Sequence, residues 1–299
     1  MTPKSLLRRL KRAVSTPTSV PVGQGLLDVR SLVPATRARN EAFIRGACVN
    51  AYLGDHGSLC RVLARYSMFV DTTDLGFSSH MLLSGYWEMW VTEAIVARIR
   101  PGMHAVDVGA NLGYFTLIMA DLVGPTGRVD AFEPNPAIAE KLTKSVEVNG
   151  YLSRTTIHQA ALGSVAGEVT LHIPPSEPKN AYLGAASILP DHLSVTIPSL
   201  RLDELDSAGT IDLIKIDVEG AEEHVWSGMQ GILDSGRPLT VLLEFAACRY
   251  ADAGGFIDRI MSHGFSAELI DYSAGVVPTT REEILSRPGD VDQMLIFSR

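Results

Sequence analysis

His104-Ala105-Val106-Asp107-Val108-Gly109-Ala110-Asn111-Leu112-Gly113-Tyr114-Phe115-Thr116-Leu117 decides how the rest of the chain is read. An apolar run meets an acid, then two glycines, then a new apolar pattern. The pattern predicts a buried parallel strand, a tight turn and a helix start. A second apolar run, Arg128-Val129-Asp130-Ala131-Phe132, ends at Glu133. A strand, a glycine turn, a helix and an acid closing the next strand make a nucleoside-binding unit. Glycine lets backbone approach a ligand with no Cβ in the way. The acid can accept hydrogen bonds from both ribose hydroxyls.

Working outward, the pattern repeats. Pro101-Gly102 stops a helix predicted from Met89 to Ile99. Phe115 to Leu122 reads as a crossover helix, and Gly124-Pro125-Thr126-Gly127 as the return to the second strand. Glu133-Pro134-Asn135-Pro136 leads into a helix from Ala137 to Asn149, with proline at an early position. Thr155 to Ala161 is a third strand, Ile211 to Ile216 a fourth, and Leu239 to Leu243 a fifth that ends at Glu244. Asp217-Val218-Glu219-Gly220-Ala221-Glu222 opens a helix predicted to run through Gly231. Phe256 to His263 is helical, and Ala267 to Asp271 and Gln293 to Ser298 are the last strands. Val169 to Ile173 and Val195 to Pro198 form a peripheral β excursion around a loop rich in Pro, Ser and Gly. Strands alternating with helices predict an α/β fold with a mostly parallel sheet covered on both faces.

Upstream, residues 38 to 63 show helical spacing, with Ala42, Phe43, Cys48, Leu53, Leu59 and Val62 available for burial. Tyr66 to Asp71 reads as a strand. Three parts result: a basic N-terminus over 1–21, a mainly helical cap over 22–80, and a ligand-binding domain over 81–299. Lys4, Arg8, Arg9, Lys11 and Arg12 precede the first acid, Asp28. That segment reads as a solvated terminus, with weak contact to an anionic lipid or a partner as the other reading.

The bulk numbers exclude several classes. The chain has 299 residues, is 46% hydrophobic and 20% charged, and carries a formal charge of −8. The acidic balance argues against general nucleic-acid binding. No apolar run approaches the roughly 18 residues of a membrane span. The first residues lack the apolar core of a signal peptide. Cys48, Cys60 and Cys248 have no metal-ligand spacing and no disulfide framework, which points to a reducing, cytoplasmic compartment.

Right-handed crossovers gather the strand ends on one edge, where Asp107, Gly109, Glu133, Gln159, Asp217, Glu219 and Glu244 collect. Gly109-Ala110-Asn111-Leu112-Gly113 lacks the middle glycine of the G-x-G-x-x-G dinucleotide fingerprint and the Lys-Ser/Thr of a P-loop. Asp107 would repel a phosphate and suits an amine-bearing or cationic ligand. S-adenosylmethionine fits, with an amine, a sulfonium, a ribose and no phosphate.

Val106-Asp107-Val108-Gly109-Ala110-Asn111-Leu112-Gly113-Tyr114, Ala131-Phe132-Glu133-Pro134-Asn135-Pro136 and Leu213-Ile214-Lys215-Ile216-Asp217-Val218-Glu219-Gly220-Ala221-Glu222 together resemble the FkbM family of S-adenosylmethionine-dependent methyltransferases. The resemblance covers roughly residues 80 to 245. It implies a Rossmann-like class I methyltransferase sheet of seven strands, mostly parallel with an antiparallel final strand. It implies O-methylation of a hydroxyl on a sugar, glycolipid, polyketide or other natural product. By position, Asp107, Gly109, Asn111, Gly113 and Tyr114 would surround the methionine part and ribose of the cofactor. Glu133 would hold the ribose hydroxyls, and Gln159 and Ala160 would flank adenine. Tyr86 and Glu88 could close over the cofactor from the cap.

An alcohol is a poor nucleophile near neutral pH, so a base helps. Asp217 and Glu219 are the candidates. Lys215 either holds Asp217 ionised or forms a structural ion pair with it, and both readings stand. Asp217 and Glu244 could instead hold Mg²⁺, but no dedicated ligand cluster supports a metal, and the expected metal set is none. His224 could be a base at the cleft rim but reads first as a partly exposed helix histidine, and His80 and His158 share that ambiguity. Trp87, Trp90 and Trp226 could line an acceptor pocket, but amphipathic packing is their first reading. Two other readings remain: a noncatalytic nucleoside-binding protein of the same fold, and a nicotinamide-dependent oxidoreductase, which the missing glycine disfavours. The expected partner is a small-molecule or glycan acceptor. The sequence does not set the oligomeric state.

Overall fold

The protein is described from a computed structural model, over residues 26–174, 182–183 and 192–299. The basic segment and most of the Pro/Ser/Gly-rich loop lie outside the described residues. Helix α1 (Arg37–Ala47) opens the cap. Here the helical expectation for 38 to 63 fails. The chain instead forms β1 (Asn50–Gly54), β2 (Gly57–Val62) and β3 (Tyr66–Asp71), an antiparallel sheet. Gly54, Asp55 and His56 all take positive φ, which reverses the chain into a hairpin. In β2 the buried residues are Ser58, Cys60 and Val62, a period of two that helical spacing had obscured. The cap is therefore mixed rather than mainly helical.

Helices α2 (Phe77–Leu83) and α3 (Met89–Arg98) lead to the central strand β4 (His104–Val108), which is buried throughout. Then come α4 (Tyr114–Val123), β5 (Arg128–Phe132), α5 (Pro136–Val148) and β6 (Thr155–His158). Asn135 caps α5 by accepting from the Ala137 amide, with proline at the first turn as expected. The third strand is shorter than expected. Ala161 leaves the main sheet for β7 (Ala161–Leu162), which joins β8 (Gly167–Ile173), β9 (Tyr182–Leu183) and β10 (Leu193–Leu200) in a second sheet.

The main sheet resumes with β11 (Leu213–Ile216). The helix expected through Gly231 is broken into α6 (Glu222–Ser227) and α7 (Gln230–Asp234). Gly228, between them, packs against the Gly163 carbonyl so closely that a Cβ would lie 2.0 Å from its oxygen. Next come β12 (Thr240–Phe245), α8 (Ala253–Ser262), β13 (Ser266–Asp271), β14 (Gly275–Pro278), α9 (Arg281–Ser286) and β15 (Gln293–Ser298). The strand order is β14-β13-β15-β12-β11-β4-β5-β6. β15 runs antiparallel between β12 and β13, as expected of the final strand, and β14 adds an eighth strand at the edge. The order reverses direction at β4, between β11 and β5. Crevices form at such a switch point, outside the carboxyl ends of the strands.

The cap is bound to the same face of the sheet as α4. Arg65 grips both carboxylate oxygens of Asp121 at 2.7 and 3.1 Å, and Tyr66 donates to the same group at 2.9 Å. The outer edge of β3 is met by side chains of α5 and its C-terminal end: Phe69 N donates to Ser145 Oγ, and Ser67 exchanges hydrogen bonds with Asn149. Arg37 forks onto buried Glu93. These contacts fix the cap against α3, α4 and α5. Among the described residues, no helix is long and apolar enough to cross a membrane.

Candidate active site

The glycine turn is sterically dictated. Gly109 has φ +76°, and a Cβ there would lie 1.9 Å from the Asp217 carbonyl oxygen. Only glycine fits. The amides of Gly109 and Ala110 both donate to the Phe132 carbonyl, which ties the turn to the end of β5. Asn111 also takes positive φ. Its amide donates to Glu133 Oε2 at 2.9 Å, and the Asn135 amide donates to Oε1 at 2.9 Å. Glu133 is only 6% exposed, and burial pushes its carboxyl up to about 7 against those two hydrogen bonds.

These residues line a cleft whose space, with its open mouth, measures about 1160 Å³. At one end are Phe132, Pro134, Ala160 and Leu162, an apolar slot. Glu133 lies beside it. At the other end are Glu88, Asp217, Glu219 and Glu244, with Tyr114 and Phe115 as wall. Tyr114 is held by a hydrogen bond between its hydroxyl and Thr92.

Among the described residues, Lys215 is the one cation lining this cleft. It faces Asp107 across the β11–β4 register and lies on the same side of its own strand as Asp217. Its Nζ is 3.0 Å from Asp217 and 3.8 Å from Asp107, and 5.0 Å from the centre of the Phe115 ring. Burial alone would lower its pKa, but Asp217 and Asp107 overcome that and raise it to about 12. Lys215 is thus a fixed positive charge. Asp107 is fully buried, with Oδ2 accepting from Thr116 at 2.6 Å and Oδ1 without a hydrogen-bond donor. It acts on the cleft through Lys215 and does not line it.

Arg249, which the sequence reading passed over, organises the acidic end. It reaches Glu244 at 2.6 Å, Glu219 at 3.1 Å and Asp292 at 3.0 Å. Burial and Asp217 nonetheless push Glu244 up to about 8. Carboxylate oxygens of Asp217, Glu219 and Glu244 all lie within 4.8 Å of one another, close enough for one cation, and the Arg249 guanidinium already lies against two of them. Glu88 differs from the rest. Its side chain has no hydrogen bond or ion pair among the described residues. Its backbone is left-handed, with φ 31°. Burial, then Asp217, push it up to about 7.

The structure brings Glu88, Gly109, Asn111, Tyr114, Glu133, Ala160, Lys215, Asp217 and Glu219 to one cleft. Gly113 instead caps α4, where a Cβ would lie 2.5 Å from Leu142 Cδ1. Gln159 is exposed and outside the lining. No sequence motif flagged Arg249 or Asp292, because their roles depend on carboxylates distant in the chain.

Glu133 keeps lone pairs beyond the two backbone amides, as a ribose diol requires. Among the described residues, the cleft offers five carboxylates and one ion-paired lysine. A pyrophosphate is poorly served there, whereas a sulfonium and an ammonium are well served. Fold and site together define a nucleoside-binding α/β domain suited to S-adenosylmethionine.

A family model described as the methyltransferase FkbM domain matches residues 107–267. The chain belongs to the FkbM methyltransferase family. It is 30% identical over 166 residues to methyltransferase sdnD of Sordaria araneosa, covering 45% of this chain and 63% of that one. It is 30% identical over 133 residues to the hexuronic acid methyltransferase AglP of Haloferax volcanii, covering 43% and 51%. The chain thus spans between half and two thirds of the length of these curated relatives. A solved FkbM methyltransferase from Methylobacillus flagellatus KT superposes with a TM-score of 0.43 at 16% identity, covering 74% of this chain and 52% of that one.

Proposed function

We propose that this protein transfers the methyl group of S-adenosylmethionine to an acceptor hydroxyl on a sugar, glycolipid, polyketide or related natural product. The observation that carries the reading is the cleft itself. Glu133 presents a buried carboxylate beside an apolar slot, and the acidic end follows without a break. Phe132, Pro134, Ala160 and Leu162 would hold adenine, Glu133 the ribose, and the turn from Gly109 to Asn111 the approach to the methionine part. Bound there, the cofactor supplies a methyl group already activated on sulfur. The chain has to align the acceptor, exclude water and take its proton.

Among the described residues, five carboxylates line the cleft, and four have partners. Glu133 accepts backbone amides, Asp217 pairs with Lys215, and Glu219 and Glu244 share Arg249. Among the described residues of the lining, Glu88 alone has no hydrogen-bond or ion-pair partner, and near neutrality its affinity for a proton suits general base work. We assign it the acceptor proton. Asp217, Glu219 and Lys215 then act as positioning residues that fix the charge around it. The bound cofactor would supply the methyl group to the acceptor oxygen and keep the electron pair on sulfur, and Glu88 would take the acceptor's proton and pass it to solvent.

Calorimetry with S-adenosylmethionine, S-adenosylhomocysteine and NAD tests the cofactor. Binding of both methionine nucleosides and not NAD is expected. Binding of NAD alone would overturn the proposal. Cofactor binding with no labelled methyl group transferred into any extract would leave a noncatalytic binding protein.

A further inference from the structure

Charge is divided unevenly along the chain. Residues 1–65 carry eleven Lys and Arg against three acids, whereas residues 66–299 carry fifteen against thirty-one. Within the cap, Arg37 and Arg65 are paired with Glu93 and Asp121. Arg39, Arg45 and Arg61 are exposed. The side chains of Arg39 and Arg61 have no partner among the described residues.

The same cap exposes a cluster of apolar side chains. The β1–β2 hairpin lies alongside α2 and the chain leading into it, fastened at both ends. Asn50 Nδ2 donates to the Leu82 carbonyl at 3.2 Å, and the Thr72 amide donates to the His56 carbonyl at 2.8 Å. Val49, Tyr52 and Leu53, in and just before β1, are thereby brought beside Leu75 and Leu83 at the two ends of α2. All five are between 54% and 79% exposed. The core contacts of α2 are made by Phe77, Ser78 and Met81, so its outer leucines are left over from packing. Single exposed apolar residues are ordinary, but a cluster of them marks an interaction surface. Two of the exposed arginines border it. The Arg61 amide donates to the Val49 carbonyl at 2.8 Å, and Arg45 donates to the Tyr86 hydroxyl at 2.9 Å, just beyond Leu83.

The sequence outside the described residues repeats both properties. At helical spacing, Leu6, Leu7, Leu10, Ala13 and Val14 fall within an arc of about 120°, and Lys4, Arg8, Arg9, Lys11 and Arg12 fall outside it. The segment joins the rest of the chain at the cap, where Arg65 donates to the Leu27 carbonyl at 3.1 Å. Residues 15–25 span at most about 40 Å, which keeps the basic segment within reach of the apolar rim. We propose that residues 4–14 and this rim together dock the protein on an anionic membrane surface. Two apolar pieces on a linker, each flanked by cations, call for a broad partner with negative charge outside and an apolar interior. An anionic bilayer offers both. One weak anchor alone gives marginal binding, and a second makes it stable. Phe77, the first residue of α2, lines the cofactor cleft, so docking through the rim holds that cleft beside the bilayer.

Flotation of the full chain with lipid vesicles tests this, with thermal melting as the check on folding. Phosphatidylcholine vesicles holding about 30% phosphatidylserine should bind the protein, and pure phosphatidylcholine should not. Binding should weaken as salt is raised. Arg8→Glu with Arg9→Glu should lower affinity for the anionic vesicles by at least about tenfold. Leu75→Glu with Leu83→Glu, which leaves the basic segment intact, should lower it by at least about fivefold. Both pairs should melt as the wild type does, because Leu75 and Leu83 are exposed and the arginines precede the folded cap. Absent binding to anionic vesicles overturns the proposal, and so does equal binding to both vesicle types. Unchanged binding by the arginine pair removes the N-terminal segment from the docking surface, and unchanged binding by the leucine pair removes the rim. Capture by immobilised polyglutamate without vesicle binding overturns the membrane in favour of an acidic protein partner.

Discussion

Glu88→Gln should make the protein more stable and less active, which separates the chemistry of the cleft from its folding. Burial, assisted by Asp217 and opposed by Lys215, raises Glu88 from an ordinary 4.5 to about 7. At about 1.4 kcal/mol per pH unit, keeping this carboxylate ionised near pH 8 costs the fold about 3 kcal/mol. The sign follows from proton counting. Between those two values the folded chain holds more protons than the unfolded chain, so stability falls as pH rises through about 7. Glutamine carries no charge to bury. The variant should gain up to about 3 kcal/mol near pH 8, on the order of 5 °C in melting temperature for a chain of this size, and almost nothing near pH 4.5.

Thermal melting at the two pH values reads the first half. Methyl transfer reads the second. In the wild type, turnover should rise with pH through about 7 as Glu88 loses its proton. The variant should lose that limb and at least ~100-fold in turnover. Its cofactor affinity should change by less than about threefold. Unchanged turnover would refute the base assignment. A cofactor affinity that falls as far as turnover would move Glu88 to the amine of the methionine part. Lower melting temperatures at both pH values would refute the burial cost.

Gly109→Ala places a Cβ 1.9 Å from the Asp217 carbonyl at φ +76°. Denaturant unfolding should show a loss of at least about 3 kcal/mol. Glu133→Gln keeps the shape but halves the acceptors. Calorimetry should show roughly 10- to 100-fold weaker cofactor binding, with turnover at saturating cofactor little changed. Asp217→Asn leaves buried Lys215 with Asp107, 3.8 Å away. Turnover should fall more than cofactor affinity, and stability by about 2 kcal/mol, less than for a fully enclosed pair because Asp217 is 27% exposed. Chelation with EDTA should leave turnover intact, because Arg249 already compensates Glu219 and Glu244. A loss restored by Mg²⁺ would show that the carboxylates take a metal.

The strand, turn and helix around Gly109 were legible because their causes are local. An apolar run, a glycine that tolerates positive φ and an acid at a strand end are all contiguous in the chain. The same holds for Asn135 and Pro136 at the start of α5. The cap was misread for an equally physical reason. Apolar residues spaced through 38 to 63 match a helix and a hairpin alike. The reversal rests on Gly54, Asp55 and His56, residue types that favour a left-handed backbone, so a turn signal was present at Gly54-Asp55-His56-Gly57 and the apolar spacing overrode it.

From the sequence alone came the glycine turn, the acid Glu133 at the end of the next strand, and the exclusion of a dinucleotide fingerprint. These are short-range constraints, and one chain segment suffices to impose them. Tertiary structure decided the rest. Glu88, Glu244, Arg249 and Asp292 come from separate segments, and their charges acquire meaning only when packing removes water between them. Which carboxylate is left without a partner is a property of that packing. So is the placement of the β1–β2 hairpin beside α2, which gathers exposed apolar residues from separate segments into one rim.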